Sequence, residues 1–328
     1  MKYPCNLASD INHTNFCPSS NIQLPWLMLA DSPTSSYRRF YILRKGMYRK
    51  IDLPHFADAD DYRRYFSSKR WLIAVSRRKG LITFYDPFSA TGTVINPPTM
   101  PFDYFYDGDL WDENSYTFQF GKFIFSTDAR KRLHTSSTCD DDMQVAMLFN
   151  TNRSIAFWRP GKQHWIRNFE TRQIDDVCFF RGIFYFIDDY TQVVAFGNPP
   201  RIVIDLRTQG LVTGAPIMYY IVPLGLESAS SLLVVSKYLD YNNGELYWTE
   251  GFELFEVNVD KGTATQVHDI GNRALFIGHN STFFVEASPS HKYSCRHSYQ
   301  NHDPNLKILR FYDSNMTIRF DLRFYRFF

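Results

Sequence analysis

WLIAVSRRKGLITFYDPFSATGTVINPP, Trp71 to Pro98, reads as three short strands in succession. Trp71 to Val75 is a continuous apolar run, Leu81 to Tyr85 a second, and Thr93 to Ile95 runs back after a polar turn. Asp86-Pro87 opens that turn well, because proline presets one backbone angle and the aspartate side chain caps its own backbone. Looser copies of this cassette begin at Trp26 (WLMLA, then RRFYILRKGMYRKIDLP), Val145 (VAMLF, then SIAFWRPGKQHWIRN), Leu232 (LLVV, then ELFEVNVDKGTATQVHDI) and Ala274 (ALFIG, then ILRFYDSNMTIRFDL). An antiparallel unit recurring every few tens of residues cannot hide its apolar faces alone, so it stacks against its neighbours. The fold expected is all-β: a single β-propeller of about six blades.

Working outward, residues 1–23 are polar and aperiodic and read as a flexible leader, so the propeller domain is placed at 24–328. Unit one holds Trp26 to Ala30, Arg39 to Leu43 and Met47 to Leu53; unit two is the cassette itself, followed by Pro101 to Ser115 as a long loop or outermost strand. Unit three holds Gly121 to Ser126, Val145 to Phe149, Ser154 to Trp158 and His164 to Asn168, with the polar segment Thr127 to Asp142 between its first two strands. Unit four is the cleanest, with strands at Asp176 to Phe180, Ile183 to Ile187, Gln192 to Phe196 and Arg201 to Asp205. Unit five covers Ile217 to Val222, Leu232 to Val235, Leu254 to Val259 and Thr265 to Val267. Unit six covers Ala274 to Ile277, Thr282 to Glu286, Lys307 to Tyr312 and Thr317 to Leu322, and the ending TIRFDLRFYRFF is either a last strand or an exposed apolar tail.

Composition narrows the classes of function. The chain has 328 residues, with 36 Lys and Arg against 34 Asp and Glu, so no whole-protein field draws in nucleic acid or an anionic membrane. Thirty Phe, 21 Tyr and 6 Trp are read mainly as filling between stacked sheets, the remainder as anchors for a partner. Cys5, Cys17, Cys139, Cys178 and Cys295 are odd in number and lack CxxC spacing, which suits a reducing compartment. No signal-peptide or transit pattern opens the chain, and cytoplasmic or nuclear localisation is expected.

Constellations that could carry chemistry are few. His291, Cys295, His297 and His302 offer zinc-type ligands, but their spacing matches no usual finger or knuckle, and a His-rich polar loop is the simpler reading. There is no GxGxxG, GxxxxGK[ST], G-x-S-x-G or H-E-x-x-H. Asp175 with Asp176 and Asp188 with Asp189 are placed at turns, where adjacent carboxylates rarely converge across a substrate. Asp140, Asp141 and Asp142 read as a solvated loop, and Lys69, Arg70, Arg77, Arg78 and Lys79 as a basic cluster guarding strand edges. The expectation is therefore no catalytic, cofactor-binding or metal-binding residue.

The stretch SSKRWLIAVSRRKGLITFYDPFSATGTVINPP resembles a segment of a large plant family that reads as a G-W-L strand, a strand ending N-P, a T-G turn and L-P-P. LPWLMLA (Leu24 to Ala30), FWRPGKQHW (Phe157 to Trp165), IDDVCFFRGIFYFID (Ile174 to Asp188) and ALFIGHNSTFFVEA (Ala274 to Ala287) match in the family's order. The chain is similar to the KIB-type β-propeller domain that forms the C-terminal part of many plant F-box proteins. Departures are Arg70 for the usual glycine, Asp86 for asparagine and Asn96 for leucine. The resemblance implies the substrate-recognition half of a Skp1-cullin-F-box ubiquitin ligase, in which an N-terminal three-helix F-box grips the Skp1 adaptor. An F-box takes about 40 to 50 residues of helix, against the 23 that precede the first strand, so Skp1 binding is not expected of this chain. The partner expected is an unidentified protein held by loops on one face of the propeller, with no nucleic acid and no membrane. The alternative is a propeller enzyme with carboxylates or histidines in the central channel.

Overall fold

The structure, a computed structural model, describes residues 26–286 and 324–325 apart from 29–36, 43–46, 54–62, 70, 77–78, 88–92, 101–119, 127–142, 150–153, 169–172, 198, 213, 215, 217, 225–229, 241–247, 271–272 and 279–281. The leader at 1–23, the segments Pro101 to Ser115 and Thr127 to Asp142, and the strands expected at Lys307 to Tyr312 and Thr317 to Leu322 lie outside the described residues. Among the described residues every regular element is a strand.

Six antiparallel sheets follow one another along the chain. The first contains β1 (Trp26–Met28), β2 (Tyr37–Ile42) and β3 (Met47–Asp52). The second is β4 (Arg63–Ser68), β5 (Trp71–Ser76), β6 (Ile82–Tyr85) and β7 (Val94–Ile95). The third is β8 (Phe120–Phe125), β9 (Val145–Phe149), β10 (Ser154–Trp158) and β11 (Ile166–Asn168). The fourth is β12 (Ile174–Phe180), β13 (Ile183–Asp188), β14 (Gln192–Ala195) and β15 (Arg201–Asp205). The fifth is β16 (Met218–Pro223), β17 (Ser231–Asp240), β18 (Trp248–Asn258) and β19 (Thr263–Val267). The sixth pairs β20 (Arg273–Phe276) with β21 (Phe283–Glu286), and β22 (Phe324–Tyr325) returns to pair with β1. The chain ending thus supplies a strand that covers the edge of β1, and the first sheet draws on both ends of the described chain.

The first strand of each sheet lies beside the first strand of the next: β4 beside β8, β8 beside β12, β12 beside β16, with β22 beside β4. Radial sheets around a common inner line make a β-propeller, as the repeat implied. One correction concerns the register of that repeat. The cassette at Trp71 begins with the second strand of its blade, because β4 precedes it and forms the inner edge. RRYFSS carries little strand signal in the sequence because Arg and Ser dilute its apolar content, yet Tyr65, Phe66, Ser67 and Ser68 are all buried.

Two-sided burial explains the unbroken apolar runs. Successive strand residues point to opposite faces. On β5, Trp71, Ile73 and Val75 pack toward the third sheet with Phe123, Phe125 and Met147, whereas Leu72 and Ala74 pack toward the first with Phe40. On β9, Val145, Met147 and Phe149 face the second sheet and Ala146 and Leu148 the fourth. On β17, Leu232 and Val234 face the fourth sheet and Leu233 and Val235 join Leu275 of the sixth. Rings fill the seams: Trp71 stacks on Phe125 at 5.5 Å between centroids, and Phe84 meets Phe125 edge-on at 5.0 Å. Burying one such ring stabilises the fold by about 1.5–3 kcal/mol, which is why the aromatics read as filling.

Candidate functional site

Adjacent blades do not share a hydrogen-bond ladder, so the inner strand of each has one edge of backbone groups that must find partners elsewhere. At the seam between β12 and β16 those partners are two consecutive carboxylates. Asp175 Oδ2 accepts from Tyr219 N at 2.9 Å, and Asp176 Oδ2 accepts from Ile221 N at 3.0 Å. Consecutive strand residues ordinarily face opposite ways, but the register of β12 on β13 shifts between Ile174 and Asp176. Asp175 is the extra residue of a β-bulge, and a bulge re-aims side chains in this way.

A second bulge completes the cluster. The register of β8 on β9 shifts between Phe120 and Lys122, which leaves Gly121 as the extra residue. Lys122 then ion-pairs through Nζ with Asp176 Oδ1, both side chains being almost wholly buried. Asp176 Oδ1 also accepts from Val177 N at 2.7 Å, and Oδ2 from Thr282 Oγ1 at 3.3 Å. One carboxylate thereby links the third, fourth and fifth sheets and the residue that leads into β21 of the sixth.

The electrostatics follow from burial. Desolvation pushes the Asp175 carboxyl up to about 7, with Asp189 and Asp176 adding repulsion and the Tyr219 and Gln173 hydrogen bonds opposing it. Burial likewise raises the Tyr220 hydroxyl, reinforced by Asp176 and Asp175. The free Cys178 thiol is raised chiefly by burial and then by Asp176, which leaves it without the thiolate character that reactive cysteines need.

Chemically, the arrangement is spent on architecture. A general acid or base must turn a proton or a lone pair toward substrate. The two oxygens of Asp176 already serve four donors, two of them backbone amides. Asp175 differs, since it is only partly buried and, among the described residues, its second oxygen meets Gln173 Nε2 alone, at 3.5 Å.

The residues singled out in the sequence fall as follows. Asp175 and Asp176 lie inside β12 rather than at a turn, which corrects their placement and brings them together. Asp188 does act at a turn: its Oδ1 accepts from Tyr190 N at 3.1 Å and Gln192 N at 2.8 Å. Of the basic cluster, Lys69 and Lys79 do not share one patch. Lys69 sits in the turn before β5 and Lys79 in the turn after it, at opposite ends of a strand that spans about 20 Å. Arg70, Arg77, Arg78, the acidic run Asp140 to Asp142, and His291, Cys295, His297 and His302 lie outside the described residues. Among the described residues no group of three or more His, Cys, Asp or Glu is placed to hold a metal ion. Lys122 and Thr282 were missed. Each is ordinary in its local sequence, and only a fold brings them to Asp176 across separations of 54 and 106 residues.

The family model described as KIB1-4 beta-propeller matches residues 2–301 of the chain. An Arabidopsis thaliana protein provisionally named an F-box protein is 27% identical over 156 residues, which cover 45% of this chain and 41% of that protein. The chain thus matches about two fifths of the length of that relative. Among solved structures, YCF48 from Cyanidioschyzon merolae aligns with a TM-score of 0.42 and 10% identity over 76% of this chain and 74% of its own. BBS1N, from its complex with ARL6DN, aligns with a TM-score of 0.38 and 10% identity over 81% of this chain and 75% of its own. Neither structural likeness bears on what this chain does.

Proposed function

The chain belongs to the KIB1-4 beta-propeller family, and on that premise we propose that it is a non-catalytic protein-recognition module, the substrate-recognition part of a ubiquitin-ligase system of the F-box type. The observation that carries the reading is the economy of the centre. Its best-formed charged cluster, Lys122 with Asp176, is consumed in joining four sheets, and recognition is left to the loops and turns at the two rims. Partial similarity to a provisionally named F-box protein supports the same role. The partner is a protein bound by rim loops in the cytoplasm or nucleus, and Skp1 is not a partner of the described propeller.

Proximity labelling in plant cells, followed by calorimetry of each labelled protein with the purified chain, tests this. At least one labelled protein is expected to bind saturably, and purified Skp1 is expected not to. If no labelled protein binds the purified chain, the recognition reading is overturned.

A second reading, a propeller enzyme, draws on the partial burial of the Asp175 carboxyl, which pushes its pKa up to about 7 and would let it exchange a proton at neutral pH. A metabolite-dependent turnover lost in Asp175→Asn at unchanged stability would favour it.

A further inference from the structure

Among the described residues the two rims of the propeller differ in charge. In a sheet whose first strand is innermost, the turn from first to second strand and the turn from third to fourth lie at one end, and the remaining connections at the other. Contacts between blades place the first set on a common rim. Phe125 N donates to Ser68 Oγ at 3.2 Å, and Lys69 Nζ donates to Ser126 O at 3.0 Å while lying 5.8 Å from the Phe179 ring centre. Arg181 Nη1 reaches Asp260 Oδ2 at 2.8 Å, and Val259 N reaches Ser230 O at 2.9 Å. This rim carries Lys69, Arg159, Lys162, Arg181, Arg201 and Lys261 across the second to fifth blades, and all but Lys69 are exposed. Its exposed carboxylate among the described residues is Asp260, held below the usual carboxylate range by Ser230 and Arg181. The opposite rim mixes Lys79 and Arg207 with Asp189, Asp205 and Asp269.

Backbone conformation adds an independent observation. Lys69 and Arg181 occupy the same topological position, the turn between the first and second strands of the second and fourth blades, and both are left-handed, with φ of 53° and 49°. Arg181 precedes Gly182 at φ 83°, which makes a two-residue turn of the kind that favours Asn, Asp or Gly at its first position. A long basic side chain there is conformationally costly, and such costs concentrate at functional positions. The Lys162 turn is equally well built: Trp158 Nε1 donates to Lys162 O at 2.8 Å, Lys162 N donates to Arg159 O at 3.1 Å, and Gly161 takes φ 81°. Three well-defined turns thus fix the backbone from which these cations project.

We infer that this rim, from Lys69 through Arg159, Lys162, Arg181 and Arg201 to Lys261, docks an acidic segment of a protein partner. The inference rests on the recognition reading and specifies its face. Carboxylates are the chemistry that fits, because Arg181 already shows the mode of capture in its pair with Asp260 and Ser230. A peptide suits the rim better than a nucleic acid, since a formal net charge of +2 gives no long-range field for a polyanion.

The test is fluorescence anisotropy of the full chain with a labelled peptide of alternating Glu and Asp. Arg159→Glu, Lys162→Glu and Lys261→Glu are each expected to weaken binding by about threefold, and the triple variant to abolish it. Lys79→Glu, on the opposite rim, is expected to leave it unchanged. Equal weakening by Lys79→Glu, or tighter binding of a single-stranded DNA of equal charge lost in the same triple variant, overturns the inference. A labelled cellular protein that binds the triple variant as well as wild type also overturns it while leaving the recognition reading intact. Absence of any binding protein sinks that reading instead.

Discussion

The seam between β4 and β8 and the seam between β12 and β16 solve one problem with different materials. In both, side chains of one blade satisfy the free inner edge of the next. At β4 the partners are modest: Arg64 Nη1 donates to Phe120 O at 3.0 Å and Ser68 Oγ accepts from Phe125 N, while Phe66 packs on Phe123 at 5.1 Å. At β12 the partners are carboxylates, and the pairing needs a bulge in each of two strands and a buried lysine. The first seam spreads its stability over many rings. The second concentrates it in a few charged atoms, where one loss leaves another charge stranded in a medium of low polarity.

That contrast can be broken most forcefully at Asp176. Asp176→Leu strands the Lys122 ammonium and orphans Ile221 N, and it is expected to lower stability by about 3–5 kcal/mol in urea unfolding, with Lys122→Met comparable. The double variant Lys122→Met with Asp176→Leu is expected to recover the larger part of either loss, because no uncompensated charge remains. At the other seam Ser68→Ala removes only the acceptor for Phe125 N, and a loss of about 1 kcal/mol is expected by the same measurement.

Smaller still is a pH effect at Asp175. Its carboxyl is raised to about 7 in the fold, so its contribution to stability is complete below about 4, the ordinary unfolded value, and fades as pH rises through about 7. Asp175→Asn keeps an acceptor for Tyr219 N and cannot ionise, so its stability relative to wild type is expected to improve between those two pH values. A flat difference across that range counts against the burial of Asp175. The smallest effect is expected at Arg181→Ala, whose exposed pair with Asp260 is screened by solvent, and thermal unfolding should not register it.

Legibility in the sequence followed burial. VAMLF and SIAFW were read at the bounds the structure gives to β9 and β10, since strands buried on both faces advertise themselves as apolar runs. RRYFSS did not, because an inner strand whose edge serves the next blade must carry Arg and Ser among its buried residues. The polar centre was invisible for a related reason. The extra residues at Gly121 and Asp175 change where neighbours point without leaving any mark in composition or periodicity, and the pairing of Lys122 with Asp176 exists only once the third and fourth blades stand side by side.

The central claim is that the buried carboxylates hold the blades together. Residue-resolved hydrogen exchange of the Ile221 amide tests it most directly, in wild type and in the Lys122→Met, Asp176→Leu double variant. The account predicts slow exchange at Ile221 in wild type and a selective acceleration in the double variant, while the amides of β17 that pair within their own sheet stay protected. Unchanged protection of Ile221 in the double variant would contradict it.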